Sequence, residues 1–333
     1  MKWLPRALLA GLLGLVAGCG SGQALTGLPR TIEVPLATWP GYEYFYLAKR
    51  ERLGAQQGLH LQTRDYPDPQ AIVQAYLRGE LDVAQLTTVE AVDICSQQPK
   101  RCPVVVLVLD ESRGADMVAA RRGVASVEDL RGRKVAVTPS TLGPYVLSRA
   151  LEEAGMGLKD VQVVPMPMGE MAGSLARRQV DAAAFFPPFS EYALRVGLAQ
   201  VLFDSSRIPG EIFDVLVVDP LFALRHREDL VRLLRTWQAA HDFADRHPDE
   251  ADKIMAFREK LSVSRFRAAE RGLLYPCLRE QVPLLEPGGV LADNLAAVQL
   301  VQVQLGLVKA GAPLPRVDDE PLRQALAGKG SSR

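Results

Sequence analysis

From Thr31 to about Leu202 the chain alternates between two hydrophobic patterns. Short apolar runs read as strands: "TIEVPLAT", "LHLQTRDY", "LDVAQLT", "PVVVLVLD", "KVAVTP", "VQVVPM", "DAAAFF" and "AQVLFD". Between them lie segments with apolar residues three and four apart, which read as helices. These are Tyr44 to Leu53, "DPQAIVQAYLRG", "TVEAVDICSQQ", "ASVEDLRG", "TLGPYVLSRALEEAG", "GEMAGSLARRQ" and "FSEYALRVG". Their ends carry start and stop signals. Asp68 is placed to cap a helix that opens on Pro69 and stops at Gly79, and Ser126 faces Asp129 in a capping-box-like spacing. Such alternation predicts βαβ units and an α/β fold with mostly parallel sheets. After "FDVLVVDP" the pattern turns helical, from about Leu221 to the end.

Length and charge narrow the function classes. A chain of 333 residues is long enough for two domains. Its 39 basic and 39 acidic residues balance, so it carries no basic footprint for nucleic acid. The four histidines are scattered and there is no CxxC, so neither a metal site nor a cofactor is expected. "MKWLPR" followed by "ALLAGLLGLVAG" reads as a secretory leader over 1–18. "LVAGC" resembles a bacterial lipobox, which implies cleavage before Cys19 and acylation of its sulfur. Residues 19–30 then form a flexible tether from the membrane. Export places Cys95 and Cys102, in "CSQQPKRC", where an oxidising compartment would let them close a short loop. Cys277 is left over and expected to be buried.

No motif announces an enzyme. The chain has no G-x-S-x-G, H-E-x-x-H, P-loop or G-x-G-x-x-G, and no His stands near a candidate nucleophile. The order of segments instead resembles type II solute-binding proteins of ABC importers, in the branch of nitrate, sulfonate, taurine and thiamine-precursor binders. The segments that carry it are "WPGYEYFYLAKRERLG", "LRGELDVAQLTTVEAV", "DLRGRKVAVTPSTLGPYVLSRALEEAG" and "ARRQVDAAAFFPP". The resemblance covers roughly 31 to 308. A related fungal enzyme makes a thiamine pyrimidine with an active-site His and a Cys-rich motif, and neither has a matching context here.

The resemblance implies two α/β lobes joined by two crossing strands, with the ligand between them and closure by hinge bending. Lobe one is expected over 31–111 plus 216–320, lobe two over 112–215, and a C-terminal tail over 321–333. The crossings would fall near Asp110–Asp116 and Ile212–Val217. It also implies an ABC permease and ATPase as partners, and a monomer. A sensory lipoprotein that signals to a membrane kinase or cyclase is the alternative use of the same cleft.

Strand ends supply the candidate site, because ligands of parallel α/β sheets gather there. Trp39 and Tyr42 sit in a loop with Pro40 and Gly41 and offer stacking faces, while Phe45 suits helix core. Tyr44 and Tyr46 are undecided. Thr88 either caps the following helix, with Glu90 favouring its positive end, or Thr87, Thr88 and Glu90 meet ligand, and the two roles can coexist. Asp110 and Ser112 end an apolar strand, and Asp214 lies on the return; each acid serves either the hinge or the ligand. Thr138, Ser140 and Thr141 precede a helix whose free N–H groups suit an acceptor. Phe186 is the expected second face of an aromatic sandwich with Trp39 or Tyr42. No Arg or Lys stands at these ends, Arg113 being the nearest, whereas Glu43, Glu90, Asp110 and Asp214 are acidic. That balance favours a neutral or cationic nitrogen-bearing ligand over a bare anion.

Overall fold

The computed structural model describes residues 30–328; the leader, Cys19 and the tether lie outside them. No helix among the described residues is long and apolar enough to cross a membrane. The first lobe opens with β1 (Thr31–Leu36), α1 (Glu43–Arg50), α2 (Leu53–Gln56), β2 (His60–Asp65), α3 (Pro69–Leu77), β3 (Val83–Thr87), α4 (Thr88–Gln97) and β4 (Val104–Ser112). The second lobe holds β5 (Met117–Arg121), β6 (Lys134–Val137), α5 (Leu142–Glu153), β7 (Gln162–Pro165), α6 (Met168–Ala176), β8 (Ala182–Phe185), α7 (Phe189–Arg195) and β9 (Ala199–Asp204). The chain then returns through β10 (Phe213–Val218) to α8 (Pro220–Arg225), α9 (Arg227–Arg246), α10 (Pro248–Arg258) and α11 (Val263–Glu270). It ends with β11 (Leu273–Leu274), α12 (Val282–Leu285), α13 (Val290–Gln304), β12 (Arg316–Val317) and α14 (Glu320–Ala327).

The local signals act as expected. The Asp68 carboxylate accepts from Ala71 N at 2.9 Å, and Gly79 takes the left-handed conformation (φ 81°) that ends α3. Pro35 lacks an N–H, and the Gln85 amide of β3 donates to its carbonyl at 3.0 Å, tying the β1–β2 pair to the neighbouring sheet.

The sheets are mixed rather than mostly parallel. In the first lobe the order is β11-β4-β10-β3, with β12 parallel on β4 and β10 antiparallel to both β3 and β4. In the second it is β7-β6-β8-β5-β9, parallel at β6 and antiparallel at β5. The antiparallel strands β5 and β10 are those the chain enters as it crosses between lobes, without a helix to reverse its direction. β5 was absent from the sequence expectation, because "MVAAR" is only five residues long and two of them are Ala. β10 places Phe213, Asp214 and Val215 in the first sheet, not in the second lobe expected to run to 215. The expected tail from 321 instead forms most of α14, which buries Leu322 and Ala325 against α9.

Between lobes the crossings lie side by side. Ser112 Oγ and Ser205 Oγ are 2.8 Å apart, Gly114 N donates to Ser205 Oγ at 2.7 Å, and Asp116 N donates to Ser112 Oγ at 3.2 Å. Cys95 and Cys102 are joined by a disulfide, and Cys277 is exposed, not buried as expected.

Candidate functional site

The ends of β1, β3 and β4, with the start of antiparallel β10, converge on the gap between sheets. Asp110 and Asp214 are cross-strand partners on β4 and β10, both buried. The loop after β1 lies directly on them. A Cβ at Gly41 would sit 1.8 Å from Asp110 Oδ2, so the approach requires glycine. Trp39 Nε1 then donates to Asp110 Oδ2 at 3.2 Å, and the Tyr42 hydroxyl donates to Asp214 Oδ1 at 2.5 Å. Among the described residues, Asp110 Oδ1 and Asp214 Oδ2 find no donor from other groups. The two carboxyls bond each other only when one is protonated. Burial raises both above the usual carboxylate range, and the Asp110 charge lifts Asp214 further.

Thr87 and Glu90 form a capping box at the start of α4. Thr87 Oγ1 accepts from Glu90 N at 3.2 Å, and Glu90 Oε2 accepts from Thr87 N at 3.0 Å. Capping does not exclude a site role, because Glu90 also lines the cleft. Burial pushes its pKa up to about 7, against the lowering effect of the Thr87 bonds. Asp116, on the first crossing, is likewise buried, and desolvation raises it to about 6.

The cleft has two connected parts. Against the second lobe lies a cavity of about 130 Å³, the outer part, and against the first lobe one of about 10 Å³, the inner part, room for one water. Pro69, Glu90, Asp116, Leu142 and Phe186 border both. Trp39, Tyr42, Thr87 and Asp214 wall the inner part. Thr138 and Ser140 wall the outer part, their hydroxyls 2.8 Å apart, beside Val146, Met168 and Phe189.

Other expected residues sit elsewhere. Asp110 lies behind Trp39 and Gly41, Ser112 staples the crossings, and Thr88 and Thr141 are buried outside the lining. Arg113 pairs with Glu111, and Glu43 is buried against Arg258. Tyr44 stacks on His241 at 3.6 Å within the first lobe. Trp39 and Phe186 meet edge to face at 5.1 Å and 85°, rather than standing as the two faces of the sandwich expected of Phe186 with Trp39 or Tyr42. Sequence reasoning used Asp68 only as a cap and missed Asp116, Leu142 and Phe189. Asp116 had one legible signal, an acid at the threshold of a short apolar run in a crossing segment. No group of three or more His, Cys, Asp or Glu among the described residues is arranged to hold a metal ion.

Comparison with known proteins agrees with this arrangement. A Brucella abortus (strain 2308) protein described by the general term binding protein is 26% identical over 224 residues, 66% of this chain and 69% of its own length. The taurine-binding periplasmic protein of Escherichia coli K12 is 25% identical over 177 residues, 52% of this chain and 54% of that one. Among solved structures, the alkanesulfonate-binding protein SsuA of Xanthomonas axonopodis pv. citri, bound to MOPS, superposes with a TM-score of 0.70 at 16% identity. It covers 84% of this chain and 95% of its own. The desulfurization enzyme DSZB shares the fold at a TM-score of 0.66 and 17% identity, over 90% and 99% of the two chains. The NMT1/THI5 like family model matches residues 39–251. With its two-lobed fold and interlobe cleft, the chain belongs to the NMT1/THI5-like family and is of its solute-binding kind.

Proposed function

We propose that this protein is an exported lipoprotein, anchored through Cys19, that captures a small nitrogen-bearing organic solute and delivers it to an ABC permease and its ATPase. One observation carries the ligand class: Glu90, Asp116 and Asp214 line the cleft, and no Arg or Lys does. Taurine and MOPS, the ligands named for two similar proteins, each carry a nitrogen as well as a sulfonate. The acids here suit the nitrogen end, and the lining offers no base for the sulfonate. The mechanism is closure rather than chemistry. Trp39, Tyr42 and Glu90 belong to the first lobe, Thr138, Ser140 and Phe186 to the second, so a ligand touching both favours the closed state by its differential contacts.

The test is a thermal-shift panel of amines, pyrimidines, sulfonates and amino acids, followed by addition of the stabilised complex to any ABC permease–ATPase whose genes neighbour its own. Stimulated ATP hydrolysis is the expected result. A complex that leaves the ATPase unchanged but alters a receptor kinase or cyclase would replace import with sensing. Full membrane retention of Cys19→Ser would remove acylation as the sole anchor.

A further inference from the structure

We propose that the ligand is an organic monocation, a protonated amine or amidinium head on an apolar body about one ring in size, and that its capture expels protons from the carboxyls around the head. The proposal rests on the interlobe cavity being the solute site and adds the ligand's charge, its size and the proton balance.

Three observations meet at one place. The inner chamber presents carboxyl groups from three elements, Glu90 on α4, Asp214 on β10 and Asp116 on the crossing, each at most 3% exposed. The strongest charged or titratable influences on Glu90 and Asp214 come from acids and a phenol. Glu90 feels Asp116 and Asp93, and Asp214 feels Asp110, Asp116, Glu90 and the Tyr42 hydroxyl. Asp110 in turn acts on the Tyr275 phenol. No cation is among these neighbours, unlike the buried Glu43, which has Arg258. Second, Asp214 borders the chamber, and its buried Oδ2 has no donor among the described residues once the Asp110–Asp214 pair is fully ionised. A ligand N–H supplies what is missing. Third, beyond the shared acids Glu90 and Asp116, and Asp68 at its edge, the outer cavity offers a mostly apolar wall. Its walls include Pro139, Leu142, Val146, Met168, Phe186 and Phe189. Its volume, about 130 Å³, is close to that of a cavity of about 150 Å³ known to hold benzene in another protein.

Protons follow from the same geometry. Buried carboxyls without a counter-cation hold protons near neutral pH, Glu90 with a pKa near 7 and Asp116 near 6. A cation seated among them favours their ionised forms, so these O–H protons pass to solvent as the N–H bonds form. Affinity therefore falls as pH drops from 7 to 5, by about tenfold per pH unit for each proton expelled.

The probes are benzylamine, benzamidine, benzyl alcohol and phenylmethanesulfonate, used on the full chain. Benzylamine or benzamidine is expected to raise Tm saturably at pH 7.5, with benzyl alcohol weaker and the sulfonate silent. Calorimetric titration in phosphate and in Tris should give enthalpies that differ in the sense of proton release, up to about one proton per amine. Glu90→Gln, which keeps the capping oxygen, should lose most of the amine shift while unfolding cooperatively in urea. The exposed control Glu228→Gln should retain it. Stabilisation by the sulfonate alone, or amine binding without proton release, overturns this inference and leaves solute capture standing. Silence of all four probes, together with an inert wider solute panel, removes both.

Discussion

Glu90 makes apo-protein stability fall as pH rises, the reverse of the usual carboxylate behaviour. Burial lifts its pKa from 4.5 to about 7 in the folded chain. A group whose pKa is raised by folding gives its full stability below the unfolded value and loses it on the way up through the folded one. The window is therefore pH 4.5 to 7. At about 1.4 kcal/mol per unit, the loss attributable to Glu90 is about 3 kcal/mol. Glu90 is 2% exposed, so solvent screening does little to reduce it. Glu90→Gln isolates the effect, because a Gln oxygen still accepts from Thr87 N and preserves the capping box. Urea unfolding of both proteins at pH 5, 6, 7 and 8, free of ligand, is the assay. The wild type should lose about 3 kcal/mol more than the variant across that range, with unchanged m-values. Parallel pH profiles, or a wild type that gains on the variant as pH rises, would refute the reasoning that Glu90 is buried without a counter-cation.

The disulfide Cys95–Cys102 closes a loop with a sequence separation of 7, so Cys95→Ser with Cys102→Ser should cost about 2–3 kcal/mol of stability. Reductant that leaves the wild-type Tm unmoved would argue against it. Gly41→Ala forces a methyl onto Asp110 and should cost about 1–3 kcal/mol in urea unfolding, while weakening ligand binding through the displaced Trp39 loop. A change below about 0.5 kcal/mol means the loop does not sit on the carboxyl. Trp39 borders the inner chamber, so its fluorescence should change with the true ligand. An unchanged spectrum, with normal binding by Trp39→Ala, would dismiss its part in the site.

The legible part of the fold was whatever local chemistry decides. Asp68, Pro69 and Gly79 bound α3 because a cap, a fixed φ and a left-handed stop act within a few residues. Glu90 was legible as an acid at a helix start, but the expected cap Thr88 is in fact Thr87, one residue earlier, because the strand ends there and α4 begins at Thr88. What stayed hidden depends on pairing partners far along the chain. That Asp110 and Asp214 face each other follows from strand register, which sequence periodicity does not set across a separation spanning the whole second lobe. Phe186 was expected as the second face of a sandwich with Trp39 or Tyr42; instead it meets Trp39 directly and edge to face, with the Trp39 N–H turned to Asp110. β5 escaped because a crossing strand of Met, Val and Ala has too few residues to reveal a period.

The clustered acids are costly to ionise unless something cationic joins them, and the proposed division of labour between lobes gives that cost a use. The carboxyls the proposal assigns to the ligand's head belong to the first lobe and the crossing, whereas most of the apolar wall, Leu142, Val146, Met168, Phe186 and Phe189, belongs to the second. A cation alone relieves the first lobe's charge and gives the second lobe nothing to hold. An apolar body alone leaves the buried acids uncompensated. Only a molecule carrying both at the right separation gains from bringing the lobes together, so the unfavourable electrostatics of the empty cleft act as a selector for the closed state.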